Sequence, residues 1–246
     1  MEGVSSTPLQ PPTRKKGRIK RFLLRSLMVI VAVATIGHFA YKYSGSEEWH
    51  ALEEKDGVKV FWQKVPGSTL VKYKGVTRLR SSLTSVTRFM QDPTACDDVG
   101  CTDYVVLDTV SPQVQYMSFV YNYGPFGKRQ FVVKVDVSQD PKTKDVKVHY
   151  IGDANRIPPN DCCIRVPHMN NQWMFKPVGD GEIEVEYTVD MYEGGMIPYF
   201  VYNTIHQKAA YRGPRKIANI VVGDKFKQKY VDSSVTLPFI AEPTPG

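Results

Sequence analysis

The chain has 246 residues, 42% of them hydrophobic, and a formal net charge of +7, enough for one substantial domain or two small ones. The charge is lopsided: residues 1–45 hold eight Lys/Arg against Glu2, whereas residues 46–246 hold 24 of each sign. The main body is neutral and offers no basic stripe for a phosphate backbone, which argues against nucleic-acid binding.

In chain order, residues 1–21 form a basic leader with Pro8, Pro11, Pro12 and the run RKKGRIKR. Residues 22–41 follow as an apolar stretch of about the 20 residues needed to span a bilayer. Basic residues precede it and Glu47 and Glu48 follow it, so the positive-inside rule keeps the N-terminus cytoplasmic and exports the domain. The stretch reads as an uncleaved anchor, with a bacterial inner membrane facing the periplasm as the expected setting; a lumenal domain on an endomembrane has the same signature. The alternative is a signal peptide cleaved near Ala32-Val33-Ala34.

After the linker YKYSGS, EEWHALEEKDG reads as a brief helix ended by Gly57. VKVFWQKV (58–65) and LVKYKGVTRLR (70–80) flank Pro66-Gly67 as a hairpin. SSLTSVTRFMQD carries a serine cap and helical spacing. Six segments with period-two alternation then predict an antiparallel sheet with one wet face: 103–110, 114–122, 129–137, 145–152, 164–177 and 182–192. In the last, Ile183, Val185, Tyr187, Val189 and Met191 face one way. Gly194-Gly195 breaks that strand, and Met196, Ile197, Phe200, Val201, Thr204, Ile205 and Ala209 recur at helical steps. Gly213-Pro214 interrupts this pattern, giving one kinked C-terminal helix or two in line. No internal repeat and no further linker appears, so residues 46–230 read as one domain, followed by a tail over 231–246.

Four cysteines are present. Cys96 and Cys101 are candidates for a local disulfide in an exported domain, with connectivity undetermined by sequence. A metal site is disfavoured, because paired CxxC spacing is absent and His38, His50, His149, His168 and His206 do not cluster.

The order helix, hairpin, helix, many antiparallel strands and one long final helix is an α+β helix-grip layout, a curved sheet wrapped around its last helix. Here the sequence resembles the START (StAR-related lipid-transfer) family of the Bet v 1-like group. The resemblance is carried by EEWHALEEKDGVKVFWQKVPGS, by GPFGKRQFVVKV with Gln130 where the family usually has Asp, by IRVPHMNNQWMF with its P-x-x-D-G turn, and by DMYEGGMIPYFVYN with one extra residue after Asp190. Together these span about residues 48–222.

The resemblance implies a hydrophobic tunnel between the sheet and the final helix, holding one lipid-like molecule without any cofactor. Candidate wall residues are Phe131, Val133, Val135, Trp173, Phe175, Tyr187, Ile197, Phe200, Val201 and Thr204, each of which could equally be packed core. Phe131, Val133, Val135 and Val137 are all apolar at interior parity, which favours a mainly apolar ligand. Arg129 reads as structural. The final helix and the loops 122–129 and 138–145 are the expected gate. The expected protein is thus a monomeric, non-enzymatic lipid-binding or lipid-transfer domain with a lipid and a membrane as partners. The alternatives are a cyclase- or hydrolase-like enzyme using the same cavity, or an envelope scaffold, which a cavity below about 300 Å³ would favour.

Overall fold

The computed structural model describes residues 15–231 and 236–243. It comprises two units, residues 1–44 and 45–246. Pro8, Pro11, Pro12 and Arg14 of the leader, and parts of the expected tail, lie outside the described residues.

The first unit is a single helix, α1 (Lys15–Tyr43). Its Gly17–Tyr43 portion has 27 residues and a mean hydropathy of 1.9 in its most apolar part, and at 1.5 Å per residue it is about 40 Å long. Apolar side chains from Phe22 to Phe39 are exposed all round it. It contains the predicted span and is long and apolar enough to cross a membrane.

The second unit opens with a correction. HALEEK is strand β1 (His50–Lys55), paired antiparallel with β2 (Val58–Gln63), and not a helix. Asp56 (φ 49°) and Gly57 (φ 74°) form a two-residue turn with both central residues left-handed, the turn that matches hairpin twist and favours Asp-Gly. That turn overrides the helical composition of the preceding acids. β3 (Lys72–Arg80) pairs with β2. α2 (Leu83–Gln91) begins at Ser82, whose hydroxyl accepts from Ser85 N–H, the expected cap. A short turn and α3 (Cys96–Val99) lead into β4 (Thr102–Ser111), β5 (Val114–Asn122), β6 (Lys128–Gln139) and β7 (Val146–Gly152).

The segment predicted as one strand over 164–177 is two. β8 (Ile164–Arg165) runs parallel to β6, and β9 (His168–Gly179) follows a break at Val166-Pro167, since proline cannot donate to a ladder. β10 (Glu182–Val189) and β11 (Met191–Tyr192) complete the sheet, whose order is β1-β2-β3-β10-β9-β7-β6-β5-β4 with β8 beside β6 and β11 beside β9. Register aligns Tyr187 with Trp173, Trp173 with Val148, and Phe119 with Phe131. One face of the sheet therefore carries a continuous apolar and aromatic surface.

Gly194 (φ 73°) and Gly195 (φ 86°) turn the chain off this face through left-handed backbone that only glycine adopts freely. α4 (Tyr199–Val221) then crosses β2, β3 and β10 as one helix with Pro214 inside it. Its approach is unusually close for a specific reason. Pro214 has no N–H for the carbonyl of Ala210, and that carbonyl lies over Gly75 of β3, where a Cβ would stand 1.8 Å away. Gly213 in turn lies against the Tyr187 ring, with 2.8 Å to Cδ1 for a Cβ there. The Gly-Pro pair that looked like a helix breaker is a packing device.

Beyond α4, Phe226 and Tyr230 pack with Phe89 of α2, ring centroids 5.0–5.8 Å apart. The segment expected as a tail also returns to the domain. Ile240 is buried, and the Glu242 carboxylate accepts from Leu83 N–H (3.0 Å) and Thr84 N–H (2.7 Å). A carboxylate on the first turn of α2 satisfies donors a helix cannot satisfy itself and complements its dipole.

Candidate functional site

The sheet face and the elements above it do not meet everywhere. Between them lies a cavity of about 230 Å³. Its floor is Met117, Phe119, Tyr121 and Tyr123 at β5, Phe131 of β6, Tyr150 of β7, Met169, Asn171 and Trp173 of β9, Tyr187 and Met191. α2 adds Phe89 and Met90, α4 adds Ala209 and Ile217, and the segment from Asp92 to Tyr104 supplies the remaining wall. Rings stack along the floor, Trp173 on Tyr187 at 4.1 Å and Phe119 on Phe131 at 5.1 Å.

Of the predicted wall residues, Phe131, Trp173 and Tyr187 line the cavity. Val133, Val135 and Phe175 are buried core on the same face and lie outside the lining. The helix residues are misplaced: Ile197 and Val201 are half-buried away from it, Phe200 is 62% exposed, and Thr204 is exposed with its hydroxyl donating to Phe200 O at 3.0 Å. The buried stripe of α4 is Tyr202, His206, Ala210, Pro214, Ile217 and Val221, displaced from the expected face because two of its members carry polar tips and do not count as apolar in a periodicity reading. The reading also missed Tyr104, Tyr121, Tyr123, Tyr150 and Asn171. Tyr121 shares parity with Met117 and Phe119, and Tyr150 with Val146 and Val148, so alternation alone could have placed both on the floor.

These tyrosines add hydroxyl groups to an interior whose β6 positions are all apolar. Burial pushes the Tyr121 hydroxyl up to about 12 and those of Tyr104, Tyr150 and Tyr187 higher still, so all are neutral. Asp92, the one acid in the lining among the described residues, behaves oppositely. Burial would raise its pKa, but hydrogen bonds from Lys229, Tyr230 and Thr94 outweigh that and hold it at about 2.

One wall is stapled. Cys96 and Cys101 are joined, closing the loop that carries Val99, and the adjacent Cys162 and Cys163 are joined to each other in a surface loop. Closing so short a loop removes denatured-chain entropy equivalent to about 2 kcal/mol. The double variant Cys96→Ser/Cys101→Ser is expected to lose about that much stability in thermal unfolding. Alkylation of the native protein only after reduction would verify the bonds.

Beside the cavity lies a buried polar cluster. Arg129, with side-chain contacts to the carbonyls of Phe126, Gly127 and Gly194, is 1% exposed and stays out of the cavity lining, as its structural reading anticipates. His206 Nε2 lies 3.0 and 3.1 Å from the two Glu193 oxygens, with both residues at most 1% exposed. Tyr202 donates to Gly194 O. This cluster fixes the Gly194-Gly195 turn to β6 and to the first turns of α4. Gln130, at the position where the START pattern has Asp, accepts from Arg165 Nε and Nη2 at 3.1 and 2.9 Å and donates to Ser118. It anchors the loop after β7 on the outer face and points away from the cavity. Among the described residues no group of His, Cys, Asp and Glu could hold a metal ion.

No family model matches the chain. An uncharacterised protein of Pseudomonas aeruginosa is 29% identical over 188 residues, covering 75% of this chain and 90% of that protein. Among solved structures, a STAR-related lipid transfer protein fragment from Xanthomonas axonopodis superposes with a TM-score of 0.65 at 19% identity, over 71% of this chain and 99% of the other. Human STARD10 gives a TM-score of 0.67 at 15% identity over 79% and 82% of the two chains, and human StAR-related lipid transfer protein 5 gives 0.62 at 14% over 81% and 97%. These superpositions, over a chain whose antiparallel sheet is crossed by one long final helix, identify its fold as the START helix-grip fold.

Proposed function

We propose that the domain holds one hydrophobic molecule in the cavity between its sheet and α2 and α4, without chemical conversion, beside a membrane spanned by α1. The cavity itself carries this reading: a space walled largely by aromatic, methionine and aliphatic side chains, in a fold whose solved relatives include proteins described as lipid-transfer proteins. Burial of apolar ligand is favourable by about 0.8 kcal/mol per CH2, so binding needs no reactive group. The titratable lining among the described residues is Asp92, already engaged by Lys229, and five tyrosines held neutral. The His206–Glu193 pair lies outside that lining, which supports a carrier over an enzyme.

α1 supports a tether, with the basic leader on the cytoplasmic side and the domain exported. The two disulfides support the same orientation, since such bonds persist in oxidising compartments. α4 and the loop 122–129, which contribute Ala209, Ile217 and Tyr123 to the lining, are the gate of this reading, whereas the loop 138–145 contributes no lining residue.

The volume favours a second reading. About 230 Å³ is below the roughly 300–1,000 Å³ usual for sites that take drug-sized molecules, so the ligand is compact, or the domain is a scaffold with an imperfectly filled core. Lipid extraction of the full chain purified in mild detergent separates the two. A near-stoichiometric hydrophobic compound supports the carrier, and the absence of any, together with no transfer between liposomes, supports the scaffold.

A further inference from the structure

Three hydroxyl protons in the cavity have no acceptor. Tyr187 Oη receives the Asn171 Nδ2–H at 3.1 Å, and its own proton is bonded to nothing among the described residues. Tyr121 and Tyr123 Oη likewise have no hydrogen-bond partner among the described residues. Tyr150 and Tyr104, by contrast, donate to Met90 O (3.2 Å) and Met117 Sδ (3.1 Å). The three free hydroxyls are near enough that Tyr121 and Tyr187 each raise the pKa of Tyr123, and Tyr121 that of Tyr187. Tyr121 and Tyr123 Oη are not sealed from water, so a ligand that displaces water from them must supply an acceptor oxygen or leave a donor unpaired at a cost.

The lining itself offers an anion no cation. No Lys, Arg or His lines the cavity among the described residues, Asp92 is an anion, and Glu193 adds negative potential at Tyr123 and Tyr187. The nearby cations stay out of the lining: Lys229 is paired with the Asp92 carboxylate, and Arg129, 5.8 Å from the Tyr123 ring, directs its Nη groups to backbone carbonyls while its Nε has no partner among the described residues. A carboxylate or phosphate brought here would lose its hydration without gaining a counter-charge.

We propose that the ligand is a neutral molecule whose apolar body carries an acceptor oxygen, such as a ketone, ester, ether or alcohol, received by Tyr121, Tyr123 and Tyr187, and that anionic lipids are rejected. This specificity rests on the reading of the cavity as a ligand site. Asn171 is a positioning residue here. Its side-chain oxygen accepts from Asp190 N–H at 2.8 Å and its amide hydrogen engages Tyr187, which turns the tyrosine proton toward the cavity.

The test uses the full chain in detergent, titrated calorimetrically with decan-2-one, decanoate and 1-decene at pH 8 against detergent blanks. Decan-2-one is expected to bind one to one and decanoate at least tenfold more weakly. Tyr121→Phe and Tyr187→Phe are each expected to weaken the ketone about three- to tenfold and to weaken 1-decene by less than the ketone. Decanoate binding as tightly as the ketone, or ketone affinity unmoved in both variants, overturns the proposal. If 1-decene binds and the ketone binds no better, the specificity fails while the ligand site stands; if neither binds, the ligand site fails with it.

Discussion

Gly75→Ala is expected to destabilise the domain by about 3 kcal/mol, a drop in melting temperature of about 6–12 °C for a domain of this size. The added methyl would stand 1.8 Å from Ala210 O, 2.8 Å from its carbonyl carbon and 3.1 Å from Pro214 Cγ. No rotamer change relieves a clash with backbone, so α4 must lift off β3. That movement costs the close packing of Ala210 and Ile217 and widens the cavity from above. Thermal unfolding followed by circular dichroism measures it, and an unchanged midpoint would show that the helix does not cross the sheet at this point.

Glu193→Ala is expected to have an effect of similar size for a different reason. Its carboxylate is completely buried against His206, with Arg129 in the same cluster. Removing one member of a buried charged network leaves the rest uncompensated, at a cost of about 3–5 kcal/mol. Glu193→Gln keeps an acceptor for the His206 Nε2–H and is expected to cost only about 1–2 kcal/mol. Thermal melts of both variants in parallel decide the matter: equal, small losses would mean the carboxylate is not the element that fixes the turn before α4.

The strands were readable because one face of the sheet is wet and the other buried, and alternation records that difference directly, as in 182–192. β1 was not, because HALEEK has the composition of a helix and its identity comes from the Asp56-Gly57 turn and from pairing with β2. The rotation of α4 was hidden for a related reason: Tyr202 and His206 are buried through their hydrogen bonds, and a hydrophobic periodicity cannot register them. Glu193 looks like an ordinary solvated acid between Tyr192 and Gly194 until the fold brings His206 to it. The cavity is the least legible feature, since it is defined by what Phe131, Trp173 and Ala209 leave unfilled. Tyr121 and Tyr150 were visible at the right parity all the same.

The central claim, that this interior holds one hydrophobic molecule, is tested most directly by native mass spectrometry of the full chain released from detergent micelles, beside the variant Ala209→Phe. Ala209 lines the cavity from α4, and a phenyl ring there fills it from the helix side. The account predicts a single bound compound on the wild-type protein and its loss from the folded variant. An unliganded wild-type chain, or the same adduct on both proteins, would contradict it.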